Sequence, residues 1–172
     1  MTYARMRAYL IVGVLVLAAA ITVIISVVND TQSDAATGDC PAGTPRANLT
    51  LPAEAAQVKL RVLNGTRRAG MAEQVSEDFK NRGFAVQPAA KSKNKNKDIA
   101  IIQYGPKSVG AAQWIKAFFL GEATPEFSAE RTTDVIDIVI GDRYQQLATD
   151  IEVKQSLAQL SAPELPPGTC AA

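Results

Sequence analysis

Hydrophobic residues are concentrated in two parts of the chain, and the first is an uncharged apolar run over residues 10–28. As a helix this run is about 28 Å long, close to the ~30 Å hydrocarbon core of a bilayer. Arg5 and Arg7 precede the run, whereas Asp30 is the first charged residue after it. By the positive-inside rule, this asymmetry places residues 1–9 in the cytoplasm. The pattern therefore predicts a single-pass transmembrane helix that anchors an extracytoplasmic domain.

A cleaved signal peptide is the alternative interpretation of this run, because basic residues followed by an apolar stretch are typical of both. The apolar cores of cleavable signals are ~7–15 residues long, which is shorter than this run and favours an uncleaved anchor. Ala35 and Ala36 resemble the small residues of a cleavage site, so the alternative stays open.

The apolar pattern disappears after the anchor and returns at Val58. Residues 29–56 are rich in Asp, Thr, Ala, Gly and Pro, which predicts a flexible stalk. Between Val58 and Leu63, apolar and polar residues alternate as in a half-buried strand. Thr66 is then a plausible N-cap for a helix that ends before Gly83. The apolar face of this helix consists of Met71, Ala72, Val75 and Phe79.

The same order of strand and helix signals repeats further along the chain. Short strands are predicted at residues 84–86, 98–104 and around Phe127. A helix is predicted from Pro106 to Gly121, with an apolar face of Ala111, Ala112, Ile115, Phe118 and Phe119. Residues 135–140 are apolar on both faces except for Asp137, which is typical of a central strand. A terminal helix is predicted over residues 142–160, where the recurring apolar residues are Tyr144, Leu147, Ile151, Leu157 and Leu160.

These elements predict an α/β sandwich with a mixed sheet, in the order β-α-β-β-α-β-β followed by a C-terminal helix. The sandwich is expected to cover residues 57–146, with the terminal helix and a proline-rich tail over residues 147–172. A lysine-rich run at residues 91–97 falls between the second and third strands, where we expect a hairpin loop.

Charge and composition exclude several classes of function. The net charge of +1 argues against a nucleic-acid-binding surface. The chain has no histidine, which removes the commonest general base and zinc ligand, and we expect neither a metal nor a cofactor. A carboxylate pair of Asp134 and Asp137 is the remaining enzymatic hypothesis, but side chains three residues apart on a strand point to opposite faces. We therefore expect a protein that binds rather than catalyses.

The first candidate ligand site is Asn64-Gly65-Thr66, directly before the first predicted helix. Backbone N–H groups and the helix dipole at such a position can hold an anion. Arg67 and Arg68 would add positive charge to this site. Asn-Gly is also a common turn and Thr a common N-cap, so a purely structural role is the alternative.

The second candidate ligand site is the lysine-rich run. Its lysines alternate with Ser and Asn, at the positions Lys91, Lys93, Lys95 and Lys97. An extended backbone would place all their ammonium groups on one side, where they would suit phosphate-bearing wall polymers or anionic lipid headgroups. A solvated loop is the commoner explanation for this composition and remains the alternative.

Two cysteines, Cys40 and Cys170, flank the periodic region. Both lie on the side of the membrane that we expect to be outside the cytoplasm, where disulfides form and persist. We expect them to pair and to fasten the stalk to the proline-rich tail. Free or intermolecularly paired thiols are the alternative, because the sequence gives no distance between the two residues.

The stretch Val62–Ala72, VLNGTRRAGMA, followed by RGFAV at residues 82–86, resembles the start of the LytR C-terminal domain family. The resemblance continues at residues 99–104 and 134–144, and it covers residues 57–146. In many members this domain follows a LytR-CpsA-Psr catalytic domain, which attaches glycopolymers to peptidoglycan. The resemblance implies a role in cell envelope integrity through contact with wall glycopolymer or with glycopolymer-attaching enzymes of that type. It implies no catalytic residue, and a spacer or sensor that recruits protein partners is the alternative.

Overall fold

The computed structural model describes residues 12–17 and 40–172, which belong to separate units of the chain. Residues 12–17 are helical, as expected for part of the predicted anchor. The rest of that anchor, residues 1–9 and the stalk up to residue 39 lie outside the described residues. No helix within the described ranges has the length and apolar character needed to cross a membrane.

Residues 40–172 fold into an α/β sandwich. The strands are β1 (Arg46–Ala47), β2 (Lys59–Asn64), β3 (Ala85–Lys91), β4 (Ala100–Tyr104), β5 (Thr124–Phe127), β6 (Val135–Ile140) and β7 (Cys170–Ala171). The α-helices are α1 (Met71–Asn81), α2 (Val109–Ala117) and α3 (Asp150–Gln159), and short 3-10 turns cover Ala55–Gln57 and Pro106–Ser108. Strands β2 to β6 form a mixed sheet in the order β3-β2-β6-β4-β5, while β1 and β7 pair separately. The predicted fold class, a mixed α/β fold with a mixed sheet, is confirmed.

The central strand of the five-stranded sheet is β6, as its apolar sequence predicts. It pairs in parallel with β2 and antiparallel with β4. The edge strands β3 and β5 pair in parallel with β2 and β4 and contain Pro88 and Pro125, which lack the backbone donor that a further strand would need. Because β2, β3 and β6 run in the same direction, their C-terminal ends meet at one edge of the sheet.

One face of the sheet carries the hydrophobic core. Alternate strand residues point into it, and the fully buried ones are Leu60, Val62, Ala100, Ile102, Ile136, Ile138 and Ile140. The apolar stripes of α1 and α2 pack on these residues, so the predicted helix faces are confirmed. Phe79 of α1 lies at the centre, with its ring centroid 5.3 Å from that of Phe84 and 5.6 Å from that of Phe118. We call this side of the sheet the covered face.

The opposite side of the sheet, the open face, is polar along its middle row. Strand register aligns one residue from each of the five strands: Gln87, Arg61, Asp137, Gln103 and Glu126. All three α-helices contribute residues to the core on the covered face, and the open face is left to strands and loops. Alternation along each strand therefore produces one apolar face and one face that carries charge.

The predicted hairpin between β3 and β4 is wrong. Strands β2 and β6 lie between them in the sheet, so residues 92–99 form a crossover connection rather than a hairpin loop. The long-range insertion of β6 into the middle of the sheet is responsible, because it leaves β4 with β6 and β5 as its only neighbours. Segments adjacent in sequence are usually adjacent in space, and β3 and β4 depart from this tendency because β2 and β6 lie between them.

Two helix starts also differ from the prediction. Helix α1 begins at Met71 after a left-handed Gly70 (φ 77°), and Thr66 is not its N-cap. Helix α3 begins only at Asp150, where Thr149 and Glu152 form a capping box. Residues 142–149 are irregular and bury their apolar side chains without a helix, whereas Ile151, expected on the apolar face of the terminal helix, is 71% exposed. Apolar spacing alone did not distinguish a packed irregular segment from a helix.

The predicted disulfide between Cys40 and Cys170 is present, with the two Cα atoms 6.0 Å apart. Beside it, β1 and β7 pair in parallel. The chain after β1 is also fixed, because Asn48 N donates to Pro106 O at 2.8 Å and Gly110 N donates to Asn48 O at 2.9 Å. Residues 46–48, which lie in the region that composition predicts to be a flexible stalk, are fixed to the rest of the domain by these backbone contacts.

Candidate binding groove

Three loops meet at the edge of the sheet where β2, β3 and β6 end. They are residues 65–70 after β2, residues 92–99 after β3 and residues 141–146 after β6. The first two contain both of the ligand sites predicted from sequence. The fold therefore places the Asn64–Arg68 segment and the lysine-rich segment beside each other, which neither pattern alone indicated.

Asn96 holds these three loops together. Its side chain is buried, donating to Val139 O at 3.1 Å and accepting from Asp98 N at 2.9 Å. Its backbone donates to Gly65 O at 3.0 Å. Gly65 has to be glycine because a Cβ there would lie 2.7 Å from Ile140 O and 3.1 Å from the Asn96 Cβ. Asn96, although it lies within a lysine-rich segment, therefore has a structural role in joining the three loops.

The Asn64–Arg68 segment forms a closed set of internal hydrogen bonds. Asn64 Oδ1 accepts from Thr66 N and Thr66 Oγ1, both at 2.9 Å. Thr66 Oγ1 accepts in turn from Arg68 N at 2.9 Å. Since α1 starts at Met71, neither a helix N-terminus nor free N–H groups lie where an anion was expected at Asn64-Gly65-Thr66. Arg67 is exposed, and Arg68 Nη2 donates to Tyr144 O at 2.9 Å.

Two of the four lysines of the second candidate segment, Lys91 and Lys95, lie directly beside this loop. Lys91 ends β3 in register with Asn64, and Ser92 N donates to Asn64 O at 3.0 Å. Lys95 folds inward and donates to Thr66 O. Lys93 and Lys97 are exposed. The predicted one-sided row of ammonium groups is not formed, because the chain leaves the extended conformation after Lys91.

The edge formed by these loops is strongly cationic. Its charged residues are the cations Arg67, Arg68, Lys91, Lys93, Lys95, Lys97 and Arg143, and the carboxylates Asp98 and Asp142. Seven positive and two negative groups give a local charge of +5, so with a net charge of +1 for the whole chain the remaining residues carry −4. The small net charge, which argues against a nucleic-acid-binding surface at the level of composition, is therefore an average over two unlike regions.

A groove of about 460 Å³ leads from this edge onto the open face. Its cations are Arg61, Lys91, Lys93 and Lys95, and its one carboxylate, Glu126, accepts a hydrogen bond from Gln103 Nε2 at 2.8 Å. The floor is apolar and includes Leu63, Ile101 and Val139. No aromatic side chain is among the residues that line this groove, so recognition here rests on charge and hydrogen bonding.

An ion cluster centred on Asp137 adjoins the far end of the groove, which it reaches through Arg61. Asp137, only 4% exposed in its side chain, accepts from Arg61 Nε and Nη2 at 2.8 Å each and from Arg131 Nη2 at 2.8 Å. Burial by itself raises the pKa of Asp137, but the hydrogen bonds from Arg61 and Arg131 more than offset burial, so the pKa lies below its ordinary value. The carboxylate is therefore ionised and occupied by two guanidinium groups.

The two carboxylates of the enzymatic hypothesis lie in different surroundings. Asp134 precedes β6 and pairs with Lys59, at 2.8 Å from its Nζ, whereas Asp137 pairs with Arg61 and Arg131. Across the part of the chain that the structure describes, no group of three or more acidic or cysteine side chains is arranged to hold a metal ion. A catalytic carboxylate pair made of these residues is not formed.

Alternation along β2 places Arg61 on the side opposite the core, but the local sequence around Arg61 does not identify its partners. Asp137 lies 76 residues from Arg61, and Arg131 lies in the connection before β6. Only the register between β2 and β6 brings them together. The one available signal was an acidic residue in the middle of the apolar strand Val135–Ile140, which implies a partner of opposite charge.

Comparisons with known proteins agree with this fold. The crystal structure of the soluble domain of a conserved hypothetical secreted protein from Mycobacterium marinum is similar, with a TM-score of 0.55 and 23% identity over 67% of this chain and 82% of that chain. No curated protein matches the sequence significantly. The profile of the family described as LytR cell envelope-related transcriptional attenuator matches residues 57–144, half of the chain, and this region contains the five-stranded sheet, α1, α2 and the charged residues of the cationic edge. The chain therefore belongs to the LytR C-terminal domain family, a family of non-catalytic, cell envelope-related domains.

Proposed function

We propose that this protein is a membrane-anchored, extracytoplasmic binding module that contributes to cell envelope integrity by holding an anionic envelope polymer in the groove of its open face. The observation that carries the proposal is the concentration of charge in the groove: Lys91, Lys93 and Lys95 of the cationic edge line it together with Arg61, against the single carboxylate of Glu126, in a chain whose net charge is +1. Positive charge collected on one surface attracts polyanions and raises their rate of association. Because the family is described as cell envelope-related, we expect this polymer to be a component of the envelope.

An extracytoplasmic position of the domain is supported by two features. The uncharged run at residues 10–28 has the length of a membrane helix, with basic residues before it. The Cys40–Cys170 disulfide persists in an oxidising compartment, whereas cytosolic reductants would keep the thiols reduced. A phosphatase or reporter enzyme that folds only outside the cytoplasm should be active when fused after Ala172, and activity of a cytoplasm-only reporter at that position would refute the topology.

Binding is favoured over catalysis because the acidic side chains near the groove are already engaged. Asp137 accepts three hydrogen bonds from arginines, and Glu126 accepts one from Gln103. A general acid needs a raised pKa, whereas the pKa of Asp137 is lowered. The groove therefore offers cations and amides to a ligand and no proton donor suited to glycosidic cleavage.

Sedimentation with purified cell-wall fragments tests the proposal. The full-length protein in non-ionic detergent should sediment with fragments that carry anionic glycopolymer and should be released after the glycopolymer is removed hydrolytically. A variant with serine at positions 91, 93, 95 and 97 should lose most of this binding. The matched control removes the same charge from exposed lysines elsewhere, at positions 59, 80, 107 and 154. Equal binding by both variants, or retention on polymer-free fragments, would refute a groove that holds anionic polymer.

A further inference from the structure

Arg61 at the far end of the groove has hydrogen-bonding capacity that the fold does not use. Its Nε and Nη2 atoms donate to the two oxygens of Asp137, while Nη1 has no hydrogen-bond partner among residues 40–172. The side chain remains 43% exposed and lines the groove. A guanidinium carries five N–H donors in a rigid plane, so a side chain held by one edge presents its other donors in a fixed direction.

The partners of Arg61 keep it cationic and in place. Asp137 is almost fully buried, and its bidentate contact fixes the plane of the Arg61 guanidinium. Arg131 donates to the same carboxylate, so two guanidinium groups face one negative charge and the cluster keeps a net charge of +1. Because Arg131 is outside the groove lining, the residue that presents this surplus charge to the groove is Arg61.

The two cationic parts of the groove are separated by an apolar floor. Asn64 is three residues beyond Arg61 on β2 and is in register with Lys91, where the lysine-rich segment begins. At ~3.3 Å per residue, this spacing is about 10 Å. Leu63 lies between the two on β2, beside Val139 of β6, and Val139 is in turn beside Ile101 of β4; these three side chains offer no charge.

Building on the proposed function, we infer that the groove binds an extended polyanion at two separate positions, one at the Arg61 guanidinium and the other at Lys91, Lys93 and Lys95. The ligand class is a flexible chain with repeated phosphate or other acidic groups, which can place two of them about 10 Å apart along β2. A single anion reaches only one of the positions. A chain that reaches both gains affinity because its second contact forms within the complex. Asp137 acts as a positioning residue for Arg61.

Binding of a defined probe measures the two positions separately. Fluorescently labelled long-chain polyphosphate is titrated with the full-length protein in non-ionic detergent, and orthophosphate serves as the competing single anion. Arg61→Gln should weaken polyphosphate binding about tenfold, the effect of losing hydrogen bonds between charged groups. The matched control is Lys59→Gln, which removes a charge from the same face of β2 outside the groove and should change affinity less than twofold. Orthophosphate should compete poorly with the wild type and with Lys59→Gln, and better with Arg61→Gln, which holds polyphosphate at one position only.

One further variant and one further ligand keep the outcome decisive. Arg61→Lys retains the charge and is expected to fold like the wild type, so intermediate affinity in this variant supports contact by the guanidinium even if Arg61→Gln is unstable. Equal polyphosphate binding by wild type, Arg61→Gln and Arg61→Lys would overturn the second position while leaving the proposed function intact. If the wild type does not bind polyphosphate, both the second position and the proposed function are refuted. Binding to phosphatidylglycerol vesicles but not to polyphosphate would replace the polymer by a lipid surface and overturn the inference.

Discussion

The two faces of the central sheet come from the same strands but use different physical principles. On the covered face, Leu60, Val62 and Ile138 are fully buried beneath α1 and α2, and their contribution is hydrophobic and non-directional. On the open face, the intervening residues Arg61 and Asp137 form short, directional, charged hydrogen bonds. The covered face therefore determines whether the chain folds, and we assign function to the open face, where charge remains available to a ligand.

The largest expected effect on stability comes from a substitution in the core of the covered face. Phe79→Ala removes an aromatic ring that contacts Phe84, Phe118 and Phe119, and should lower the free energy of unfolding by about 3–5 kcal/mol. Chemical denaturation followed by tryptophan fluorescence measures this change. Leu120→Ala is the control, because Leu120 is 54% exposed and its truncation should change stability by less than about 0.5 kcal/mol. Equal effects of the two substitutions would contradict the placement of the core.

The next effect concerns the disulfide, which fastens β1 and β7 at one side of the sandwich. Replacing Cys40 and Cys170 by serine should reduce stability by about 2–4 kcal/mol, because the bond closes a loop of 130 residues in the unfolded chain. Polyphosphate binding at a temperature where the variant is folded should be unchanged, since both cysteines lie outside the groove. Two alkylatable thiols in the unreduced, denatured wild type would show that the bond is absent.

A smaller effect is expected from the ion cluster of the open face. Asp137→Asn leaves Arg61 and Arg131 without their carboxylate and should cost about 2 kcal/mol, less than the 3–5 kcal/mol of a fully buried pair because Arg61 is partly exposed. Asp134→Asn is the control, since its pair with Lys59 is exposed on both sides and should contribute at most about 1 kcal/mol. Thermal melts of both variants at pH 7 distinguish the two values.

The same cluster makes a prediction about pH. The folded-state pKa of Asp137 lies below the unfolded value of ~3.9, so the ion pairs stabilise the fold above about pH 4. This contribution should be lost as the pH falls through the depressed pKa. The stability difference between the wild type and Asp137→Asn should consequently be constant from about pH 7 to 5 and shrink below about pH 4. A difference that grows on acidification would show the opposite sign of the pKa shift.

Neighbouring residues of the lysine-rich segment have opposite roles, and its four lysines are expected to contribute least to stability. Asn96→Ala removes buried hydrogen bonds to Val139 O and Asp98 N and should cost about 1–3 kcal/mol. Serine at positions 91, 93, 95 and 97 should cost less than about 1 kcal/mol, because only Lys95 makes an internal contact. For polyphosphate binding we expect the opposite order, with the larger loss in the lysine variant than in Asn96→Ala. Differential scanning fluorimetry and the polyphosphate titration measure stability and binding on the same samples.

Sequence patterns predicted the covered face well and the candidate site poorly, for a physical reason. The core residues of β2, β6 and α1 repeat at the periods of strand and helix, so local sequence is enough to find them. The groove depends on contacts between distant segments, such as Arg61 with Asp137 and Asn96 with Val139. The predicted Asn64–Arg68 and Lys91–Lys97 segments lie at the edge of the sheet that leads into the groove. Their association depends on the parallel pairing of β2 with β3 and on the crossover between β3 and β4.

Residue-resolved mapping of the bound polyanion tests the central claim most directly. Backbone amide NMR spectra of the full-length protein in detergent micelles would be recorded with and without long-chain polyphosphate. We predict that the largest shift changes fall on residues 91–97 and on Arg61 and Leu63 of the open face, with the amides of α1 and α2 unchanged. Shift changes centred on the exposed Leu120 and the opposite, helix-bearing side, or no changes at all, would contradict a binding groove on the open face.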